Sequence, residues 1–330
     1  MVQLAGGRAH PLGVSAPVQE ILAQLPGIAR SRVPVLIEGE TGTGKLTLAR
    51  MIHANSPRSA QPFGVLDCSS VPSALFTREL FGHARGAYTG ADQSEPGRLR
   101  AANGGTFLLQ GVEHLEQTCQ RTLVRVLDDG EVLPVGETRP EAIDLRFVQT
   151  TETPLEEAVE RGAIERELFY RWGALRLRIP PLRERREDLG FHLEYLLRRE
   201  ARVLRRETPR LSDELRRRLL EYDWPGNVSE LEHSLQGLLT LCSRDRIGLG
   251  DLPRDLRQRL LGAQEPACDA RVFSVPGSLS FAEQVAAFER TLLQRVWRER
   301  RGDRAAVLKE LQLAPHQLKY LQKKYNLSLE

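Results

Sequence analysis

Between Pro11 and about Arg178 the chain alternates short apolar runs with amphipathic stretches. Val33-Pro34-Val35-Leu36-Ile37 reads as a buried strand, and Leu46 to His53 as the helix after it. Phe63-Gly64-Val65-Leu66, Thr106-Phe107-Leu108-Leu109 and Leu145-Arg146-Phe147-Val148 read as further buried strands. Strands that alternate with helices predict an α/β layer around a parallel sheet. From about Pro180 the texture changes. Leu193 to Leu197 and Leu215 to Leu220 have helical spacing and no strand-like run appears, which predicts an all-α unit. Gly262 to Ser280 carries Gly, Pro and Ser without periodicity and suits a linker. The expected divisions are a tail over 1–10, an α/β subdomain over 11–178, a helical subdomain over 179–255, a linker over 256–279 and a separate helical unit over 280–330. There are no internal repeats.

A chain of 330 residues has room for two or three compact units. Its 41% hydrophobic and 28% charged residues are ordinary for a globular protein. No stretch is long and apolar enough to span a bilayer, and Met1 to His10 has no apolar run of the secretory type, so no membrane partner is expected. The cysteines Cys68, Cys119, Cys242 and Cys268 are scattered, without zinc spacing, which predicts inert thiols in a reduced cytoplasmic protein. The net charge of +3 is too small to imply nucleic-acid binding by itself. Its distribution says more: residues 280–330 hold ten Lys and Arg against six Asp and Glu.

Gly39-Glu40-Thr41-Gly42-Thr43-Gly44-Lys45 lies between a predicted strand and a predicted helix. In that context the glycines let the backbone curl so that its N–H groups face phosphate oxygens, and Lys45 reaches the outer phosphates. The position after the lysine, where Ser or Thr would hold magnesium, is Leu46. Thr47 is one residue further on, about 100° round the helix.

Three more segments follow in order. Glu79-Leu80-Phe81-Gly82-His83 runs into Gly86-Ala87-Tyr88-Thr89-Gly90-Ala91; then come Pro180-Pro181-Leu182-Arg183-Glu184-Arg185 and Trp224-Pro225-Gly226-Asn227-Val228. With the phosphate loop they resemble the bacterial enhancer-binding proteins, AAA+ activators of sigma-54 RNA polymerase, over nearly the whole chain. The layout is most similar to the phage-shock-protein type of activator, which has no receiver or sensor domain ahead of the loop. The resemblance implies a P-loop AAA+ core with a helical lid and ATP or ADP as ligand. It also implies assembly into a ring with itself or a related activator. The hexapeptide from Gly86 to Ala91 matches the family's GAFTGA loop, with Tyr88 for Phe, and is expected to contact sigma-54.

The same resemblance locates the parts that hydrolyse ATP, and several are replaced. The strand after Gly105 should end in Asp-Glu, which would hold magnesium and activate water. Here it ends in Gln110-Gly111; Glu113, two positions on, is not expected to take over the acid's place. The sensor Asn is Glu152, whose carboxylate would repel a γ-phosphate. Of two finger arginines one is retained as Arg171, while the other position is Glu165, next to Arg166. The lid arginine is Ser229, and the Asn that restrains the catalytic Glu is Asp67. Loss of a finger costs about 10³–10⁵ in rate and loss of a base about 10²–10⁴, so hydrolysis should be impaired, and a bound Mg2+ is not expected. Two other readings stay open. One is a working AAA+ ATPase with relocated acids. The other is a sigma-54-independent regulator that uses the nucleotide site as sensor or scaffold.

Phe281 to Arg300 has an apolar stripe at helical spacing, with Phe281, Val285, Phe288, Leu292 and Val296 on one side. A shorter helix is expected to Glu310, then a turn at Leu311-Gln312-Leu313-Ala314, with Pro315 opening the last helix. This resembles the Fis-type helix-turn-helix module that closes the family and implies enhancer-like DNA as partner. Arg304, His316, Gln317, Lys319, Tyr320 and Lys323 are the expected DNA-facing residues, and Leu318 and Leu321 face inward.

Overall fold

The computed structural model describes residues 12–89, 91–261 and, near the C-terminus, 293, 296–297, 300, 303–311 and 315–324. The chain divides into two compact units, residues 1–261 and 262–330. In the first, α1 (Ala16–Arg30) leads to β1 (Val35–Glu38), α2 (Lys45–Ala54), β2 (Phe63–Asp67), α3 (Ser73–Phe81), α4 (Gly97–Ala101) and β3 (Thr106–Gln110). Then follow α5 (Gln117–Asp129), a small antiparallel pair β4 (Glu131–Val132) and β5 (Glu141–Ala142), β6 (Arg146–Thr151), α6 (Leu155–Glu160), α7 (Arg166–Trp172) and β7 (Arg176–Arg178). The five main strands form a parallel sheet in the order β2-β3-β6-β1-β7.

Both faces of this sheet are covered, which is why its strands read as apolar runs rather than as alternation. Leu36, Leu66, Phe107, Leu109 and Phe147 point to one face and pack with α3, α5 and α7, where Trp172 is fully buried. Their neighbours Val35, Ile37, Leu108 and Val148 point to the other face, against α1 and α2. The central strand β6 is entirely buried although four of its six residues are polar. Arg146 at its start donates to the carbonyls of Ala29 (2.6 Å) and Ile28. It thereby closes the C-terminal end of α1, whose last carbonyls lack helical partners. Burial pulls the Arg146 guanidinium down to about 10.

The remaining elements of the first unit form the lid: α8 (Arg186–Val203), β8 (Arg210–Leu211), α9 (Asp213–Glu221), α10 (Asn227–Leu241), β9 (Arg246–Ile247) and α11 (Arg254–Leu261). Leu193, Leu196, Leu215, Leu219, Trp224, Leu231, Leu235 and Leu256 share its core. The two-residue parallel ladder of β8 and β9 corrects the strand-free expectation for this region. It is too short to leave a periodic signal. In the second unit the described helices are Arg304–Glu310 and Pro315–Lys324. Most of the expected helix from Phe281 to Arg300 lies outside the described residues. Cys68, Cys119 and Cys242 are free and buried, and burial pushes the Cys68 and Cys119 thiols well up, as inert thiols require. Among the described residues no helix is long and apolar enough to cross a membrane.

Asp188 and Arg185 form a fully buried pair that joins core to lid. Asp188 accepts from the Val14 and Ser15 amides and from Ser15 Oγ, at 2.5 to 2.6 Å, and Arg185 donates to the Leu12 and Thr43 carbonyls. Removing one partner of a buried pair leaves the other charge uncompensated. Asp188→Asn is therefore expected to lower unfolding free energy by about 3–5 kcal/mol in urea melts, whereas Asp223→Asn, on an exposed pair, should change it by less than about 1 kcal/mol.

Candidate nucleotide site

A cavity of about 410 Å³ opens at the carboxyl ends of β1, β3 and β6, between the sheet and the lid. Ligands of open parallel sheets collect at such ends. Residues 41–45 of the phosphate loop, with Leu46 and Thr47, form one wall; Asp67, Gln110, Gly111, Thr150 and Glu152 close the sheet side, and Val228, Ser229 and Glu232 close the lid side. The loop curls from β1 into α2 as its glycines predict. Gly42 has φ +78°, and a Cβ there would stand 2.2 Å from the carbonyl oxygen of Gly226.

That near contact marks a clamp. The Val228 amide donates to the Gly42 carbonyl (3.0 Å). Asn227, completely buried, donates from Nδ2 to the Thr41 carbonyl (2.9 Å) and to Glu40 Oε2 (3.2 Å), and accepts from the Leu182 amide at 2.7 Å. Its φ of +52° is one that asparagine tolerates better than most residues. Arg183 grips both oxygens of Glu40 at 2.8 and 2.6 Å, and this guanidinium holds the Glu40 carboxyl below the ordinary carboxylate range. The Trp224 and Pro180 segments thus both contact the phosphate loop.

Lys45 Nζ donates to the Gly39 (2.5 Å) and Glu40 (3.0 Å) carbonyls and lies 3.9 Å from Glu152 Oε1. Burial lowers the Lys45 pKa, against the upward pull of Glu152, Glu113 and Glu40. Glu152 Oε1 also accepts from Thr41 Oγ1 at 2.5 Å. Gln110 and Gly111 stand where the acidic pair was expected. Glu113 is not among the lining residues; its Oε1 accepts from the Glu152 amide at 2.8 Å and its Oε2 is buried without a partner. His114 lines the cavity instead. The 3-10 turn after Gly111 rotates Glu113 back toward β6. The positions expected to hold a magnesium ion do not fit it: Leu46 has no side-chain oxygen, Gly111 no side chain and Gln110 only a neutral amide, and the oxygen donors that line the cavity, Thr47, Asp67 and Glu152, lie elsewhere in it. Among the described residues no acidic or His/Cys cluster could hold a metal.

The other expected site residues lie apart. Arg171, on α7, donates to both carboxylate oxygens of Asp128 and to Glu167 (3.1 Å), outside the cavity. Glu165 pairs with Arg121 at 3.0 Å. In the hexapeptide the Gly86 amide donates to the Ala91 carbonyl (2.8 Å), closing the loop's base; Gly90 lies outside the described residues. Tyr88 accepts at its hydroxyl from Arg78 (2.8 Å), with His83 Nε2 3.3 Å away and the Arg78 guanidinium over its ring. A phenylalanine could make none of the hydroxyl contacts. Arg304, His316 and Gln317 are exposed and Leu318 is buried, while the side chains of Lys319, Tyr320 and Lys323 lie outside the described set. Sequence reasoning missed Leu12, Ser69, His114, Thr150, His192 and Glu232 as cavity residues. Only Glu232 had a usable signal, because it is three residues beyond Ser229 on one helix face.

Comparison with known proteins agrees with this architecture. The "Sigma-54 interaction domain" family matches residues 12–178, and the "AAA+ ATPase lid domain" family matches 183–267. The response regulator protein PilR of Pseudomonas aeruginosa is 36% identical over 319 residues, which is 95% of this chain and 69% of PilR. The transcriptional regulatory protein XylR of Pseudomonas putida is 41% identical over 74% of this chain and 44% of its own length. The DNA-binding transcriptional regulator NtrC of Escherichia coli K12 is 37% identical over 77% and 54%. The chain therefore spans about half the length of two of these relatives. A crystal structure of NtrX from Brucella abortus in complex with ADP superposes with a TM-score of 0.70 at 23% identity, covering 96% of this chain and 70% of NtrX. The chain belongs to the sigma-54-dependent family of AAA+ transcriptional activators.

The Tyr88 hydroxyl makes a local prediction. Losing one such hydrogen bond is worth about 1 kcal/mol. Tyr88→Phe should speed amide exchange of the 84–89 segment several-fold in hydrogen–deuterium exchange, with α2 and β1 unaffected.

Proposed function

We propose that this chain is a DNA-binding transcription regulator acting on sigma-54 RNA polymerase, whose AAA+ core binds ADP or ATP and hydrolyses ATP poorly or not at all. The observation that carries the reading is the pairing of a well-formed phosphate loop with Gln110 and Gly111 at the end of β3. Phosphoryl transfer depends on metal, positioned water and transition-state charge. Here the water-activating position has no side chain, the metal position is neutral, and the lid position is Ser229. Arg171 is available to a neighbouring subunit only if it leaves Asp128.

Residues 11–178 act as the nucleotide-binding subdomain, 179–255 as the lid, 256–279 as a linker and 280–330 as the DNA reader. The loop from Gly86 to Ala91 touches sigma-54, within a ring formed with itself or with a hydrolysing relative. For the reader, the support is the charge surplus of 280–330 and the helix from Pro315 to Lys324, which opens on proline.

Phosphate release by the full chain with saturating ATP and target DNA tests the hydrolysis claim. Turnover should be at least 10³-fold below about one per second, the lower end for phosphoryl-transfer enzymes; a rate near one per second would overturn it. Gln110→Asp with Gly111→Glu should not restore turnover. Gly111 has φ +66°, a region that strains any residue with a Cβ, and Glu152 and Ser229 remain. On DNA, Gln317→Ala should lose about 1–3 kcal/mol of discrimination at one base position, while Lys323→Ala weakens all sequences alike in salt-titrated binding assays.

A further inference from the structure

We infer that the cavity selects a nucleoside diphosphate over a triphosphate, and that Glu152 is the residue that rejects the third phosphate. The inference rests on the reading of this cavity as a nucleotide site and goes beyond it by naming the ligand's phosphorylation state.

Lys45 is the one Lys or Arg among the residues described as lining the cavity, whereas Asp67, Glu152 and Glu232 bring three carboxylates. Two of these are committed elsewhere. Asp67 accepts from the Ser69 amide and hydroxyl, and Glu232 accepts from Arg199. Glu152 is different, because it faces the phosphate loop itself. Its backbone amide is held by Glu113, and its carboxylate takes the Thr41 hydroxyl and approaches Lys45. Its side chain is 48% exposed, so the charge is presented to the cavity rather than buried behind it.

A phosphate loop cradles the α- and β-phosphates with backbone N–H groups, and its lysine reaches out to the β- and γ-phosphates. The backbone part of that cradle carries no side-chain substitution in this chain. The outer part is where Glu152 stands, an oxyanion on the lysine and hydroxyl that an outermost phosphate would need. A diphosphate uses the backbone donors and shares Lys45. A triphosphate must displace Glu152 from Thr41 and Lys45 and then lie beside it. The expected magnesium positions, Leu46, Gln110 and Gly111, supply no charged ligand for an ion that would offset the repulsion.

The experiment is isothermal titration calorimetry of the full chain with ADP, ATP and the non-hydrolysable AMP-PNP, with and without magnesium. It compares wild type, Glu152→Asn and Lys45→Ala, with thermal melts to confirm folding. Wild type should bind ADP at least tenfold more tightly than either triphosphate. In Glu152→Asn, triphosphate affinity should rise at least tenfold more than ADP affinity does, so that the preference for ADP is lost. Lys45→Ala should lose all three ligands. Equal wild-type affinity for ADP and the triphosphates would overturn the selectivity while leaving the nucleotide-site reading intact. A preference for ADP that survives Glu152→Asn would overturn the role given to Glu152. If folded wild type and folded Glu152→Asn bind no nucleotide at all, the nucleotide-site reading falls and the selectivity with it.

Discussion

Asn227 holds the nucleotide-binding half of this molecule together. It is buried at the start of α10, and one side chain ties three segments: the phosphate loop through Thr41 and Glu40, the Pro180 segment through the Leu182 amide, and its own turn through Pro225. An amide suits this place because it offers donors and an acceptor without a charge to desolvate. Around it, Arg183 and Glu40 add an ion pair and Val228 adds a backbone bond to Gly42. The lid is therefore fastened to the loop by protein groups and not only through a shared ligand.

This fastening bears on what the site can do. In an AAA+ machine the lid and the phosphate loop must respond to the nucleotide between them. Here the contacts that relate lid to loop survive, together with the buried Arg185 and Asp188 pair behind them. Gln110, Gly111, Glu152 and Ser229 stand across the cavity from the phosphate loop, at the positions where the family resemblance implies acidic, amide and arginine side chains. On the proposed reading, this subunit works through shape and contacts rather than through turnover.

Four of the five core strands were legible from their apolar runs, because strands buried on both faces leave continuous hydrophobic sequence, whereas β7, Arg176–Arg178, leaves no such run and was missed. The extent of α2 and the helix beginning at Pro315 were also legible. The polar interior of β6 was less so. Gln149, Thr150 and Thr151 look like the end of a strand, but they stay buried and carry the strand to the cavity rim. Glu113 shows the limit most clearly. It was not expected to replace the missing acid, but only the structure shows why: the left-handed Gly111 and the following 3-10 turn aim it at the Glu152 amide, while His114 faces the cavity.

By itself the sequence determined the parallel α/β core, the phosphate loop and the helical region after it, because these depend on residue type, local spacing and order. Only the tertiary structure decided which surviving groups meet. Glu152 is 107 residues from Lys45 and Asn227 is 187 from Glu40, and no local pattern couples positions so far apart. Their encounter follows from the strand order, which sets β6 beside β1, and from the lid, which folds α10 back onto the loop. An exposed-looking glutamate thereby becomes the counter-charge of the phosphate-binding lysine, and an asparagine in a short turn becomes the clamp.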